Sequence, residues 1–178
     1  RENKFKKSAF EVVQAARRIA DQLGAEFVAL VIGSGVEASA QELGKYGAAQ
    51  VIAVDSAQLA NHSNTAWAKI IAEIATKEGA SIVFLPASQM GKDIAPRVAV
   101  KLDAGLATDC VALKVEGGDI VATRPVYAGK ALLDIKVSTV NKVFTLRPNV
   151  FTAVPSDGSA GVEKTTVALT DADFGTVV

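Results

Sequence analysis

The sequence predicts a layered α/β domain in which a parallel-sheet core is followed by an antiparallel extension. Three observations carry that prediction. Up to about residue 106, apolar residues at helical spacing alternate with short continuous apolar runs across short connections, the pattern of right-handed parallel βαβ units. The apolar fraction is built from small and β-branched side chains, 31 Ala and 23 Val against 7 Phe, 2 Tyr and 1 Trp, which lets helices sit close on a sheet. After Gly105 the alternation gives way to extended runs separated by Glu116-Gly117-Gly118-Asp119, a strong hairpin signal.

The elements follow in order. Ser8-Ala9-Phe10-Glu11 reads as a capping box, in which Ser8 and Glu11 satisfy exposed backbone N–H groups at the start of a helix. Val12, Ala16, Ile19, Ala20 and Leu23 then recur at helical spacing, and Gly24 supplies the stop. Phe27 to Ile32 is a continuous apolar run ending at Gly33, as expected of a strand buried on both faces. A short helix is predicted from Glu37 to Lys45 and a strand from Val51 to Val54. A third helix spans Thr65 to Glu78, a strand Ser81 to Leu85, and a fourth helix Asp93 to Leu102. Beyond Gly105, Asp109 to Val115 and Ile120 to Val126 form the hairpin, with further extended segments at Leu132 to Val140, Val143 to Leu146 and Val162 to Leu169. The chain is read as one domain over 1–178: a parallel core to about 106, an antiparallel extension over 107–155 and a C-terminal arm over 156–178.

Composition removes several functional classes. Nineteen Lys and Arg balance nineteen Asp and Glu over 178 residues, and no basic excess gathers as a nucleic-acid binder requires. No apolar run approaches the ~18 residues of a membrane span, so no membrane insertion is expected. One Cys forbids an intrachain disulfide and suits a reducing, cytoplasmic setting. The first residues lack both the apolar core of a signal peptide and an initiating Met, so the chain reads as beginning inside a longer one.

Two clusters stand out as candidate sites. Leu85-Pro86-Ala87-Ser88-Gln89-Met90-Gly91-Lys92-Asp93 lies at the carboxyl end of a predicted parallel strand and opens a helix, where α/β sheets bind ligands and a helix start offers free N–H groups to an anion. Ser88, Gly91, Lys92 and Asp93 are the candidates. The alternative is an ordinary strand-to-helix turn with Asp93 favoured by the helix dipole. A phosphate-loop reading fails, because it needs Gly at Pro86 and Ser or Thr at Asp93. Gly33-Ser34-Gly35 is a second, weaker loop of the same kind. In Arg124-Pro125-Val126-Tyr127, Pro125 removes a ladder donor and marks an edge or a bulge. Arg124 and Tyr127 suit a protein interface, or else a solvated edge Arg beside a half-buried Tyr. Arg147-Pro148 repeats the arrangement. His62 reads as a surface or capping residue and Cys110 as a core side chain. One His and one Cys support no metal site, and no nucleophile with an activating base emerges, so catalysis by this chain alone is not expected.

Three ordered blocks resemble electron-transfer flavoprotein alpha (large) subunits. Gly91-Lys92-Asp93-Ile94-Ala95-Pro96-Arg97-Val98-Ala99-Val100-Lys101-Leu102-Asp103-Ala104-Gly105-Leu106 is similar to the pattern Gly-Arg/Lys-Asp-Leu-Ala-Pro-Arg-Leu-Ala-x-x-Leu-x-x-Gly-Leu. Arg124-Pro125-Val126-Tyr127-Ala128-Gly129-Lys130-Ala131 resembles Arg-Pro-x-Tyr-Ala-Gly-x-Ala, and Val143 to Phe151 resembles a strand ending in Arg-Pro-x-x-Phe. The resemblance implies the N-terminal domain of such a subunit, with a three-layer nucleotide-α-hydrolase or stress-protein type of fold. It implies a heterodimer with a beta subunit that carries electrons from acyl-CoA or other dehydrogenases to a quinone reductase, in the cytoplasm or in a mitochondrial matrix. FAD is implied for the full-length subunit, held mainly by a C-terminal domain that opens on Ser-Gly-Gly-Arg-Gly. That motif and the family's opening strand are absent from 1–178, so no cofactor is expected in this fragment. Arg124, Tyr127 and Arg147 become candidates for the partner interface. The rival readings are a free-standing ATP- or AMP-binding domain of stress-protein type and a degenerate hydrolase of the same superfold.

Overall fold

The computed structural model describes residues 4–175. Along the chain run α1 (Lys7–Leu23), β1 (Val28–Gly33), α2 (Glu37–Ala40) continued by a 3-10 stretch (Gln41–Tyr46), β2 (Gln50–Asp55), α3 (Asn64–Lys77), β3 (Ile82–Pro86), α4 (Gln89–Lys101) and β4 (Gly105–Cys110). Then come β5 (Ala112–Glu116), β6 (Asp119–Val126), β7 (Ala131–Lys136), β8 (Lys142–Leu146) and β9 (Gly161–Lys164). The strands form two parallel ladders, β1–β2–β9 and β3–β8–β4, and one antiparallel meander, β5–β6–β7. This is the mixed α/β architecture expected from the sequence.

Apolar side chains decide how the layers meet. Ala29 and Val31 of β1 pack with Val13 of α1, while Leu30 and Ile32, pointing the other way, pack beneath α3. Strand β3 divides in the same manner: Ile82 and Phe84 lie with Val12, Ala15 and Ile19 of α1, and Val83 and Leu85 lie with α3 and α4. Alternation thus assigns α1 to one face and α3 to the other. Each helix bridges the two parallel ladders, whose edge strands β1 and β3 share no ladder with each other among the described residues.

The antiparallel pairing is confined to β5–β6–β7. The hairpin turn closes at Glu116↔Asp119, with Gly117 and Gly118 both left-handed at φ 62° and 78°, the pair of conformations a two-residue hairpin favours. The expectation of an antiparallel extension over 107–155 is corrected at two strands. Strand β8 lies parallel between β3 and β4, from Ile82↔Lys142 to Pro86↔Leu146 on one side. Val143, Phe144, Thr145 and Leu146 are all buried, the continuous burial of a central parallel strand rather than the alternation of a half-solvated one. Strand β4 is parallel as well, and β9 of the C-terminal arm pairs parallel with β2.

Two helix starts are also corrected. No side-chain cap precedes α1, which begins at Lys7, so Ser8 and Glu11 form no capping box. Glu11 is 1% exposed and accepts the Asn149 N–H at 2.8 Å. A buried carboxylate takes a distant backbone donor in preference to a local one, because leaving it unpartnered inside the fold is costly. Helix α4 begins at Gln89, four residues before the expected Asp93, because the Ser88 hydroxyl accepts the Gly91 N–H at 3.2 Å and caps the helix there.

Candidate functional site

The carboxyl ends of β3, β8 and β4 form a rim. The Ala87 N–H donates to the Leu146 carbonyl at 2.7 Å, and the Arg147 N–H to the Cys110 carbonyl at 2.9 Å, so the three strand ends are tied side by side. The β4–β8 register shifts between Ala107 and Cys110. Within that irregularity Asp109 adopts φ 59° and its N–H donates to the buried Thr145 hydroxyl at 2.8 Å. A bulge of this kind re-aims one side chain out of the strand's alternation.

The Asp109 carboxylate faces Arg147, which lies just past β8. Arg147 Nε donates to Oδ1 at 3.1 Å and Nη2 to Oδ2 at 2.6 Å, a two-pronged charge-assisted pair. The Arg147 hydrogen bonds, opposed by desolvation and helped by the charges of Arg147, Lys92 and Arg124, hold the Asp109 carboxyl below the ordinary range. Burial pushes the adjoining Cys110 thiol up to about 11, so it is an inert core group.

Arg124 comes to this rim from the meander. Ile120 and Ala122 of β6 are buried in the core that also contains Cys110, and Arg124 is the next residue of the same face. Its Nε is buried with no hydrogen-bond partner. Tyr127 follows in the turn between β6 and β7, 82% exposed. Tyr127, Ala128 and Gly129 are successively left-handed, with φ of 50°, 55° and 87°.

The structure therefore brings Lys92, Arg124 and Arg147 together around Asp109, which sequence reasoning missed. Ser88 is the α4 cap and uses its hydroxyl on Gly91. Gly91 is required by contact, since a Cβ there would overlap the Pro86 carbonyl oxygen. Asp93 is engaged elsewhere, accepting from the Asn64 side-chain amide and pairing with Arg97 at 3.4 Å. His62 is a half-buried residue rather than a surface one: its ring contacts Asn64 and stands edge-on to Trp67, while Ser63 caps α3.

A second rim lies at the ends of β1 and β2. There Asp55 Oδ1 accepts the Gly35 N–H at 2.8 Å and Oδ2 the Glu37 N–H at 3.1 Å. Partial burial alone would raise Asp55, but the N–H groups of Glu37, Gly35 and Val36, with Lys164 nearby, outweigh it and hold the carboxyl below its ordinary range. The Gly33–Gly35 loop is thus already filled by a carboxylate of its own chain. Among the described residues no group of three His, Cys, Asp or Glu could hold a metal, and no helix is long and apolar enough to cross a membrane. Two shallow clefts run beside α3, and none of their lining residues belongs to either rim.

Known proteins converge on one family. The electron transfer flavoprotein domain matches residues 1–172. Protein FixB of Clostridium saccharobutylicum is 37% identical over 182 residues, covering all of this chain and 54% of that protein. The electron transfer flavoprotein subunit alpha of Megasphaera elsdenii is 37% identical over 181 residues, covering 98% of this chain and 53% of its own length. The acryloyl-CoA reductase electron transfer subunit beta of Anaerotignum propionicum is 34% identical over 116 residues, 65% of this chain and 32% of its own length. The chain spans about half the length of the first two relatives. With the family domain matched over nearly every residue, the chain belongs to the electron transfer flavoprotein family.

Proposed function

We propose that this chain is the N-terminal scaffold domain of an electron transfer flavoprotein alpha subunit, and that it packs against a beta subunit in a heterodimer that carries electrons from a dehydrogenase. The observation that carries the docking part is the turn at Tyr127–Gly129. Two consecutive non-glycine residues are held left-handed, a conformation that costs about 1 kcal/mol or more per residue, and one of them presents a phenol ring to solvent. Strain of this sort concentrates at functional positions. Leu132 and Leu133 of the neighbouring β7 are 67% and 49% exposed, so that strand shows an apolar side chain on each of its two faces.

In this reading the subunit is an electron carrier rather than an enzyme, and the name of another relative, a lactate dehydrogenase subunit 32% identical over 146 residues, supports a dehydrogenase as electron donor. A quinone reductase remains the acceptor we favour, and the cytoplasm the compartment. FAD supplies the redox chemistry of the whole complex. The two strand-to-helix loops do not fit its pyrophosphate: the N–H groups of Gly35 and Glu37 are taken by Asp55, and that of Gly91 by Ser88. Both features support placing the flavin elsewhere in the subunit, and the Asp55 contacts count against the free-standing nucleotide-binding alternative.

Co-expression of the full-length alpha and beta subunits tests the proposal. A yellow heterodimer is expected from the wild-type pair, with association weakened at least tenfold by Tyr127→Ala. A full-length alpha subunit that remains colourless and monomeric beside its beta subunit would sink it.

A further inference from the structure

Arg124 is placed against the logic of its own strand. The face it shares with Ile120 and Ala122 is core, and such a position ordinarily takes an apolar side chain. A guanidinium there gives up hydration, and its buried Nε has no acceptor in return. Asp109 does not supply one: each of its oxygens accepts from the fork of Arg147, and neither accepts from Arg124. Asp93, one residue from Lys92, is likewise committed to Asn64 and Arg97.

Charge points the same way. Three cations, Lys92, Arg124 and Arg147, meet one carboxylate, Asp109, so the cluster has a formal surplus of two positive charges (three minus one). The cluster opens to solvent, with the Arg147 side chain 41% exposed and Lys92 exposed. Tyr127, three residues past Arg124 in the chain, adds an exposed aromatic, and these two residue types dominate binding energy at interfaces.

We propose that Arg124, together with Lys92 and the Asp109–Arg147 pair, receives an acidic side chain of the partner subunit at the carboxyl-end rim of β3, β8 and β4. The inference rests on the reading of this chain as a docking subunit and names the chemistry its partner brings. A carboxylate accepts from the two Nη nitrogens of Arg124, the end of the fork that is not closed off with Nε. Asp109 then acts as a positioning residue, holding Arg147 so that the pocket keeps its surplus charge.

The experiment uses the full-length alpha and beta subunits and measures their dissociation constant across a salt series. Arg124→Gln is expected to weaken association 10- to 100-fold at low salt and to flatten the salt dependence. Lys92→Gln, at an exposed position, is expected to weaken it about threefold, which keeps the test alive should the Arg124 variant fold poorly. Arg124→Lys is expected to recover only part of the affinity, since an ammonium has no fork. Thermal unfolding of the Arg124→Gln alpha subunit is expected at an unchanged or higher temperature, where a purely structural arginine would lower it. Wild-type affinity and salt dependence in both Arg124→Gln and Lys92→Gln overturn the inference. If Tyr127→Ala still weakens the pair in that case, the docking reading stands without it. Wild-type subunits that do not associate at all overturn both.

Discussion

Two rims of one α/β domain solve the same problem in opposite ways. At the ends of β1 and β2, Asp55 places its carboxylate onto the N–H groups of Gly35 and Glu37, and the loop is electrically closed. At the ends of β3, β8 and β4, Asp109 is matched by Arg147 alone, while Arg124 and Lys92 are left as surplus cations. The first rim has the glycines that invite a phosphate reading, yet its donors are spent. The second includes the Ser88–Asp93 loop, the stronger of the two candidates in the sequence, and it keeps unused binding capacity in Arg124 and Lys92 rather than in the loop's capped N–H groups. A ligand-like loop in a sequence is therefore a weaker indication than an account of which donors remain free once the chain has folded.

The largest expected effect comes from breaking the second rim mechanically. In Gly91→Ala the new Cβ meets the Pro86 carbonyl oxygen, a backbone atom that cannot swing aside. The β3–α4 connection must then shift, and a loss of about 3 kcal/mol or more is expected in urea unfolding. A loss under about 1 kcal/mol would mean the turn relaxes freely and does not fix the rim.

Asp55→Ala attacks the first rim and is expected to remove about 2 kcal/mol, since two backbone donors lose a charged acceptor. The pH dependence has a definite sign. Because the folded-state pKa lies below the unfolded one, the unfolded chain binds more protons in the window between them. The Asp55 contribution is fully present above the unfolded value of about 3.9 and is lost as pH falls through the folded one. Acid titration of stability should therefore be shallower in Asp55→Asn than in the wild type. Opening the loop also tests the comparison directly: inorganic phosphate is expected to raise the melting temperature of Asp55→Ala and not that of the wild type.

Asp109→Asn is the gentler counterpart at the second rim. Asn tolerates the left-handed backbone and keeps one acceptor for Arg147, so a loss of about 1 kcal/mol is expected at neutral pH. Asp109 is depressed chiefly by its Arg147 hydrogen bonds, so the difference between wild type and variant should vanish as pH falls through the folded pKa. A loss that persists unchanged at acid pH would assign the effect to the bulge rather than to the ion pair.

Much of the architecture was legible before the fold was known, for identifiable reasons. Gly24 and Gly79 end their helices left-handed, and Gly117-Gly118 makes the hairpin, because those signals act over a few residues. The place of β8 was not legible. Its pairing with β3 and β4 spans dozens of residues, and a buried apolar run reads alike whether its neighbours are parallel or not. The candidate site shared that limit. Lys92, Arg124 and Arg147 stood out singly at element ends, but their convergence depends on β8 lying between β3 and β4. Asp109 gave no local signal, since the bulge that turns it toward Arg147 is a property of the β4–β8 register. Asp55 was hidden similarly: only the Gly33↔Asp55 register puts it beside the glycine loop. The role of Glu11 was hidden as well, because its partner, Asn149, lies 138 residues away in the chain.

The smallest expected effect tests whether the Tyr127–Gly129 turn is strained for the benefit of a partner. Ala128 holds φ 55° in an exposed turn, where a methyl group gains little burial to offset an unfavourable backbone. Glycine adopts that conformation without the Cβ clash, although it adds freedom to the unfolded chain, and the two effects partly cancel. Ala128→Gly is therefore expected to raise stability by about 0.5 kcal/mol, read as a small upward shift in the urea midpoint with an unchanged slope. If the strain serves to present Tyr127, the same variant should weaken association with the beta subunit a few-fold, because a looser turn must be ordered on binding. A variant that gains stability and loses affinity separates the two demands placed on one turn. A variant that loses stability would show that the left-handed backbone at Ala128 is held by the fold itself, and would remove the argument that the turn is set for docking.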